Sequence, residues 1–337
     1  MNFKKTLLFT GAGFTANFNG FLAREMWSWI YNNPKLDNAG NIKLKLKDPQ
    51  GKFDFEQIYS DVFDERSGFP SSQVELFKDV VNEAYKSMDK VIQANWDSLP
   101  IHPADLIRFL EKFIEPGNGG AGACFTLNQD LMLEKRLGWR PLCPTQMNYN
   151  GNWGDVSNPD LQIETDKILP SNDDLETYIT EASNIERRYV KLHGSLRWVS
   201  PEGNDNKVIG INKMHTIQGI PLLKWYFQLF NEAITAGDVK LVIIGYGFRD
   251  SHINELLATA CESHGLKLFI ISPEDPEVFL DNLLYRGQGV IHSADPTGSK
   301  IWNGVKGYFP FRLSKILPRE QNSVKPELNE IYRAVGI

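Results

Sequence analysis

Short apolar runs punctuate a chain that is otherwise rich in helical spacing. The runs are "TLLFT" (6–10), "ACFTL" (123–127), "YVKLHGSLRWV" (189–199), "KLVIIGYGF" (240–248) and "KLFIIS" (267–272). Each is a few residues of apolar character ending in glycine or polar residues, the mark of a buried strand. Between the first two, apolar residues recur at three- and four-residue intervals. "NGFLAREMWSWIYNN", "DFEQIYSDVFDE", "SSQVELFKDVVNEAYKSMDKVIQANW" and "HPADLIRFLEKFIE" therefore predict helices over most of 20–116. Ser72 and Glu75 have the spacing of a capping box at the start of the third. Pro103 stands near the start of the fourth, where a missing N–H is tolerated. "NPKLDNAGNIKLKLKDPQGK" reads as a polar, turn-rich piece, and "PGNGGAG" as a flexible turn closing the block.

Further on, "PLLKWYFQLFNEAITAG" and "DSHINELLATACESHG" predict helices between strands, the second ending near Gly265. Strands alternating with helices predict an α/β fold: a Rossmann-like parallel sheet with helices on both faces and a large helical insertion. The expected division is 1–20 with 117–315 as the sheet domain, 21–116 as the insertion, and 316–337 as a C-terminal tail. "KIWNGVKGYFPFRLSKIL" is too mixed to predict an element. There is no internal repeat and no low-complexity tract.

Composition narrows the function. A formal charge of −6 speaks against direct nucleic-acid binding, which calls for a basic surface. Cys124, Cys143 and Cys261 are odd in number and lack metal-ligand spacing, so neither a disulfide framework nor a thiolate zinc site is expected. "MNFKKTLLFTGAG" is too short in its apolar part for a signal peptide, and no apolar segment reaches spanning length. The expectation is a soluble cytoplasmic protein with no membrane contact and no metal.

In parallel sheets, ligands gather where strands end and helices begin. Gly11-Ala12-Gly13-Phe14-Thr15-Ala16 fits G-x-G-x-x-A, in which glycines allow close backbone approach to a pyrophosphate. A nicotinamide dehydrogenase would place an acidic residue at the end of a second strand about 20 residues on. Here that window is helix and polar loop, which speaks against hydride transfer. Asn128, Gln129 and Asp130 follow the second strand, and Asp130 is also a plausible N-cap for 131–136. His193-Gly194 ends the third strand, where a histidine suits general-base work or simply satisfies local backbone. Gly245-Tyr246-Gly247-Phe248 ends the fourth and reads equally as a ligand turn or a plain glycine turn.

Taken together, "GAGFTA", "TLNQD", "KLHG", "IIGYGF" and "FIIS" stand in the order seen in the sirtuin superfamily. The chain most closely resembles the bacterial sirtuin-like proteins of antiphage defence. The resemblance implies NAD⁺ as substrate, with Asn128 and His193 catalytic. It places Gly11, Ala12, Gly13, Thr15, Asp130, Gly245, Tyr246, Gly247 and Ser272 at the dinucleotide; Gln129 receives no role and is expected to face the helix. It also implies an enzyme silent until triggered, through homo-oligomerisation or a partner such as a HerA-type ATPase, an Argonaute-like protein or another regulator. Two departures matter. Residues 195–240 contain no cysteine, whereas protein-deacylating sirtuins carry a four-cysteine zinc ribbon there. "NGFLAREMW" stands in place of the G-I-P-D-F-R continuation, with Arg24 only a loose match. The favoured expectation is an NAD⁺ glycohydrolase. A dinucleotide-binding sensor or partner module, and a deacylase or ADP-ribosyltransferase, are the alternatives.

Overall fold

The strands assemble in the computed structural model, which describes residues 2–48, 53–117, 120–142, 167–182, 185–200, 207–285, 293–320 and 325–337. Cys143 lies outside these residues. The strands are β1 (Thr6–Thr10), β2 (Gly122–Thr126), β3 (Lys167–Ile168), β4 (Arg187–Lys191), β5 (Trp198–Val199), β6 (Lys240–Ile244), β7 (Lys267–Ile271) and β8 (Val305–Phe309). Six form one parallel sheet in the order β4-β2-β1-β6-β7-β8; β3 and β5 pair separately. The chain builds outward from β1 through β2 to β4, then returns to the other side of β1 for β6, β7 and β8. The order reverses between β1 and β6, the point at which sheets of this kind take a ligand beyond the carboxyl ends of their strands.

Both faces of the sheet are covered, which is why its strands read as continuous apolar runs. Leu7, Phe9, Phe125, Val190, Leu241 and Ile243 face a core built with helices Pro221–Ile234 and Ser251–His264. Leu8, Cys124, Tyr189, Val242 and Ile244 face the opposite core. That core is filled by helices Ala23–Tyr31, Gly40–Leu46, Phe55–Phe63, Ser71–Asn95 and Pro103–Ile114. The helical block and one face of the sheet thus share a single apolar cluster.

Several local expectations change. Helix Gly40–Leu46 forms inside the segment read as turn-rich, because Ile42 and Leu46, one turn apart, are fully buried among lysines that point outward. The long helix does not use the Ser72–Glu75 box. Pro70, with extended backbone, takes the cap position, and both serines lie inside the helix without a side-chain cap. The reciprocal half of such a box occurs instead where Leu22 N–H donates to Glu25 Oε2 at 3.0 Å. Pro103 does occupy the first turn of its helix. "YVKLHGSLRWV" divides into β4 and β5 around a turn. The mixed segment near 300 supplies helix Pro296–Gly304 and edge strand β8, so β7 is not the last strand. A register shift at Leu268/Phe269 and the partial exposure of β8 hide its pattern. Helix Pro326–Val335 buries Leu328, Ile331 and Val335 in the same cluster as the helical block.

Candidate active site

The glycine loop after β1 packs directly on the turn after β6. Gly11 N–H donates to Ile244 O at 3.0 Å and Gly13 N–H to Gly245 O at 2.8 Å. A Cβ on Gly11 would sit 2.8 Å from Gly245 O, and one on Gly245 only 2.0 Å from Phe14 N. These glycines are therefore demanded by backbone meeting backbone, and neither N–H is left over for a ligand. Ala12 is the exposed residue of this loop, and Gly247, also exposed, has open space where a Cβ would be. Tyr246 turns its ring into the core, edge-on to Phe9 at 5.2 Å, with its hydroxyl 2.8 Å from Asn254 Oδ1. Its side chain is part of the buried core. Ser272 follows β7, one strand further out, where its Oγ accepts from Glu274 N–H at 3.3 Å.

Thr15 ties this loop to the end of β2. Its hydroxyl accepts from Asn128 Nδ2 at 2.6 Å and donates to Asp130 Oδ2 at 3.0 Å. Asp130 Oδ1 accepts from Met132 N–H at 3.0 Å, so this carboxylate also serves the start of helix Met132–Leu137, although Leu131 holds the cap position. Asn128 is partly exposed, whereas Asp130 is buried. Beneath them lies a buried charge network that the sequence reading did not anticipate. Lys191 donates to the Asp130 carbonyl at 2.5 Å and to Glu134 Oε1 at 2.7 Å. Asp89, from helix Ser71–Asn95, accepts from Leu131 N–H at 3.0 Å and pairs with Lys135 at 2.8 Å. Burial pushes the Asp130 and Glu134 carboxyls above the usual range, and the Lys191 ammonium opposes this.

His193 lies two residues past β4, on a turn that Gln129 holds. Gln129 Nε2 donates to His193 O at 3.2 Å and Val208 O at 2.9 Å, while Val208 N–H donates to the same His193 carbonyl at 3.0 Å. Gln129 thus faces the histidine turn rather than the helix and positions it. The ring of His193 is buried, and its Nε2 lies 3.0 Å from Nε2 of His252. Beside the pair, Lys213 bridges Asp250 Oδ1 at 2.6 Å and Glu56 Oε2 at 2.8 Å. His252 and Asp250 directly follow the "GYGF" turn, as "RDSH", and that D-x-H was the available signal. Lys213 and Glu56 left none, because they meet only across elements far apart in the chain. The ligand atoms of His193, Asp250 and His252 lie within 4.8 Å of one another, a spacing a cation would also accept.

Burial and the Lys213 cation hold His193 well below the usual imidazole range. Burial likewise lowers His252, to about 4, against the attraction of Asp250. Both rings are neutral near neutral pH, the state a general base requires. The consequence for stability has a definite sign. A histidine with a depressed folded-state pKa contributes stability that is complete above about 6.5, its unfolded value, and is lost as pH falls toward the folded one. The urea midpoint is therefore expected to drop between about pH 7 and about pH 5. His252→Gln should lessen that drop; an unchanged pH dependence in the variant would remove His252 as its source.

A six-stranded parallel sheet covered by helices, with its strand order reversing between β1 and β6, defines a Rossmann-like α/β protein. A family model described as the SIR2-like domain matches residues 123–290, about half of the chain. The chain is a member of the sirtuin-like superfamily. The matched segment contains Asn128, Asp130, His193, Gly245 and His252; the loop at 11–16 lies outside it and joins through the pairing of β1 with β2 and β6. No curated protein matches the chain. Membership points to NAD-related chemistry.

Proposed function

We propose that this protein is an NAD⁺ glycohydrolase that releases nicotinamide and ADP-ribose. The observation that carries the reading is Thr15, whose hydroxyl joins Asn128 to Asp130 beside the turn bearing neutral His193. Nicotinamide in NAD⁺ is already a cationic leaving group, so its departure needs no strong acid. The site has instead to fix the ribose, steady the oxocarbenium-like centre and activate a water. Asn128, partly exposed, orients the ribose or that water, and His193 accepts the proton. Asp130 holds the nicotinamide end through the Thr15 link. The dinucleotide passes along the exposed edge at Ala12 and Gly247 toward Ser272. The cysteine-free stretch 195–240 speaks against a zinc-ribbon deacylase.

Incubating the purified chain with NAD⁺ and following nicotinamide tests the reading; adding an acyl-lysine peptide tests the deacylase alternative in the same assay. NAD⁺ that binds and stays intact under all conditions would favour the sensor alternative. Asn128→Ala is expected to lose turnover while still binding NAD⁺, because placement of ribose and water acts mainly in the transition state. Calorimetry showing binding lost, with kcat unchanged at saturation, would reverse that assignment.

The reading extends to a cytoplasmic, NAD-depleting effector of antiphage defence, switched on by self-assembly or by a partner from its operon. The helical block supplies the contact for such control. Glu56 reaches Lys213, and Ser60 Oγ accepts from Ile211 N–H at 2.7 Å, so the block braces the segment that holds Asp250. A hundredfold rise in activity requires only about 2.7 kcal/mol of differential binding between two arrangements. High turnover by the isolated chain, independent of concentration and of the neighbouring gene product, would remove the gating part of the proposal.

A further inference from the structure

The mechanism above uses one of two facing imidazoles. His193 and His252 approach through their Nε2 atoms at 3.0 Å, a hydrogen-bond distance. Two neutral rings so placed hold one proton between them, one nitrogen donating and the other accepting. Nε2 of His193 is therefore engaged, and Nδ1 is the nitrogen left to meet a hydroxyl or a water.

The surroundings of the two rings differ in a way that favours moving charge from one to the other. On His193, repulsion from the Lys213 ammonium outweighs attraction by Asp250. On His252 the ranking is reversed, with Asp250 the stronger influence. Glu56 faces the same ammonium from the helical block and keeps it shared between two carboxylates. The Phe227 ring also lies 5.9 Å from His252 and brings no charge. Asp250 lies within 4.8 Å of both rings, and a positive charge is thus better tolerated on His252, the less deeply buried ring, than on the ring that meets the substrate.

We propose that His193 and His252 form a two-imidazole proton relay. This rests on the NAD⁺-cleaving reading. As Nδ1 of His193 takes a proton from the attacking water or a ribose hydroxyl, its Nε2 proton crosses to Nε2 of His252. One O–H and one N–H bond break, two N–H bonds form, and nothing is oxidised or reduced. His193 ends neutral, and the imidazolium is His252, within 4.8 Å of the Asp250 carboxylate that Lys213 holds. His252 touches the catalytic group and not the substrate, so it is a positioning and relay residue. In the resting protein the relay requires His193 to carry its proton on Nε2.

The test compares His252→Gln with His252→Ala in the full chain. Glutamine places an amide near the Nε2 position and accepts the hydrogen bond, but it cannot take the proton. Both variants are expected to lose about 10²-fold in kcat, with the KM for NAD⁺ near that of the parent; His252→Gln, which keeps the hydrogen bond, should melt like the parent, and His252→Ala, which leaves His193 Nε2 unpaired, modestly lower. Rescue of kcat by glutamine to within about threefold would mean that His252 only props His193, and would overturn the relay. A second readout needs no activity. Long-range ¹H–¹⁵N spectra of the histidine-labelled free protein should show His193 as the Nε2–H tautomer; the Nδ1–H tautomer overturns the proposal. If the parent protein cleaves no NAD⁺, the functional reading fails and the tautomer still decides the relay's starting state. Stoichiometric zinc in the protein, lost in His252→Gln, would show the cluster to be a metal site and would also overturn it.

Discussion

His193→Ala is expected to abolish NAD⁺ cleavage, by about 10²–10⁴ in rate, the usual cost of removing a positioned base. The fold should survive. The contacts that fix the turn go through the His193 carbonyl, which receives Gln129 Nε2 at 3.2 Å and Val208 N–H at 3.0 Å, and alanine keeps that carbonyl. What is lost is a neutral, buried ring at the mouth of β4 and its hydrogen bond to His252. A modest fall in melting temperature follows, because His252 Nε2 is left unpaired at a cost of about 1–3 kcal/mol. Nicotinamide release and a thermal melt measured side by side check both halves. Turnover near that of the parent would remove His193 from the mechanism; a variant that does not fold would show that the ring, and not only the carbonyl, holds the turn.

The second large effect concerns stability. Gly245→Ala is expected to destabilise the protein by several kcal/mol. Gly245 has φ +66, where an L-residue is strained by roughly 1–2 kcal/mol. The new methyl would also stand 2.0 Å from Phe14 N and 2.2 Å from Gly13 C, in backbone that cannot swing aside. Relieving the overlap forces the β1 and β6 turns apart and breaks the Gly13–Gly245 hydrogen bond of 2.8 Å. Such overpacking adds about 1–3 kcal/mol. Gly247→Ala is the control: it has no positive φ and nothing within 4 Å of the added carbon, so its melt should match the parent. Denaturant midpoints of the pair separate the two turn positions. Equal midpoints would mean that the two turns do not touch as described.

Legibility of the sheet came from chemistry local to each strand. A strand covered on both faces needs apolar residues at every position, and "TLLFT", "KLVII" and "KLFII" supply them without any partner being known. The helices of the block were legible for the same reason, since their apolar spacing is carried within a few turns. β8 was not, because an edge strand buries less of itself and its register shifts against β7. The Ser72–Glu75 spacing misled, because a cap depends on the backbone of the preceding residue, and Pro70 occupied that place.

The site divides along the same line. Asn128, Asp130 and His193 stand in short motifs at strand ends, and those motifs can be read because each strand end is itself a local event. The parallel sheet then brings those ends together, with β4, β2, β1 and β6 adjacent in that order. Other features depend on pairs of residues remote in sequence, which no local pattern reports. Thr15 meets Asn128 and Asp130, Gln129 meets the His193 carbonyl, Lys191 meets Glu134, and Glu56 meets Lys213. The glycines show the contrast most sharply. Their presence announces a close approach, but only the folded chain reveals that Gly11, Gly13 and Gly245 approach one another. A glycine records that a side chain cannot fit, and tertiary packing alone decides what fills the space.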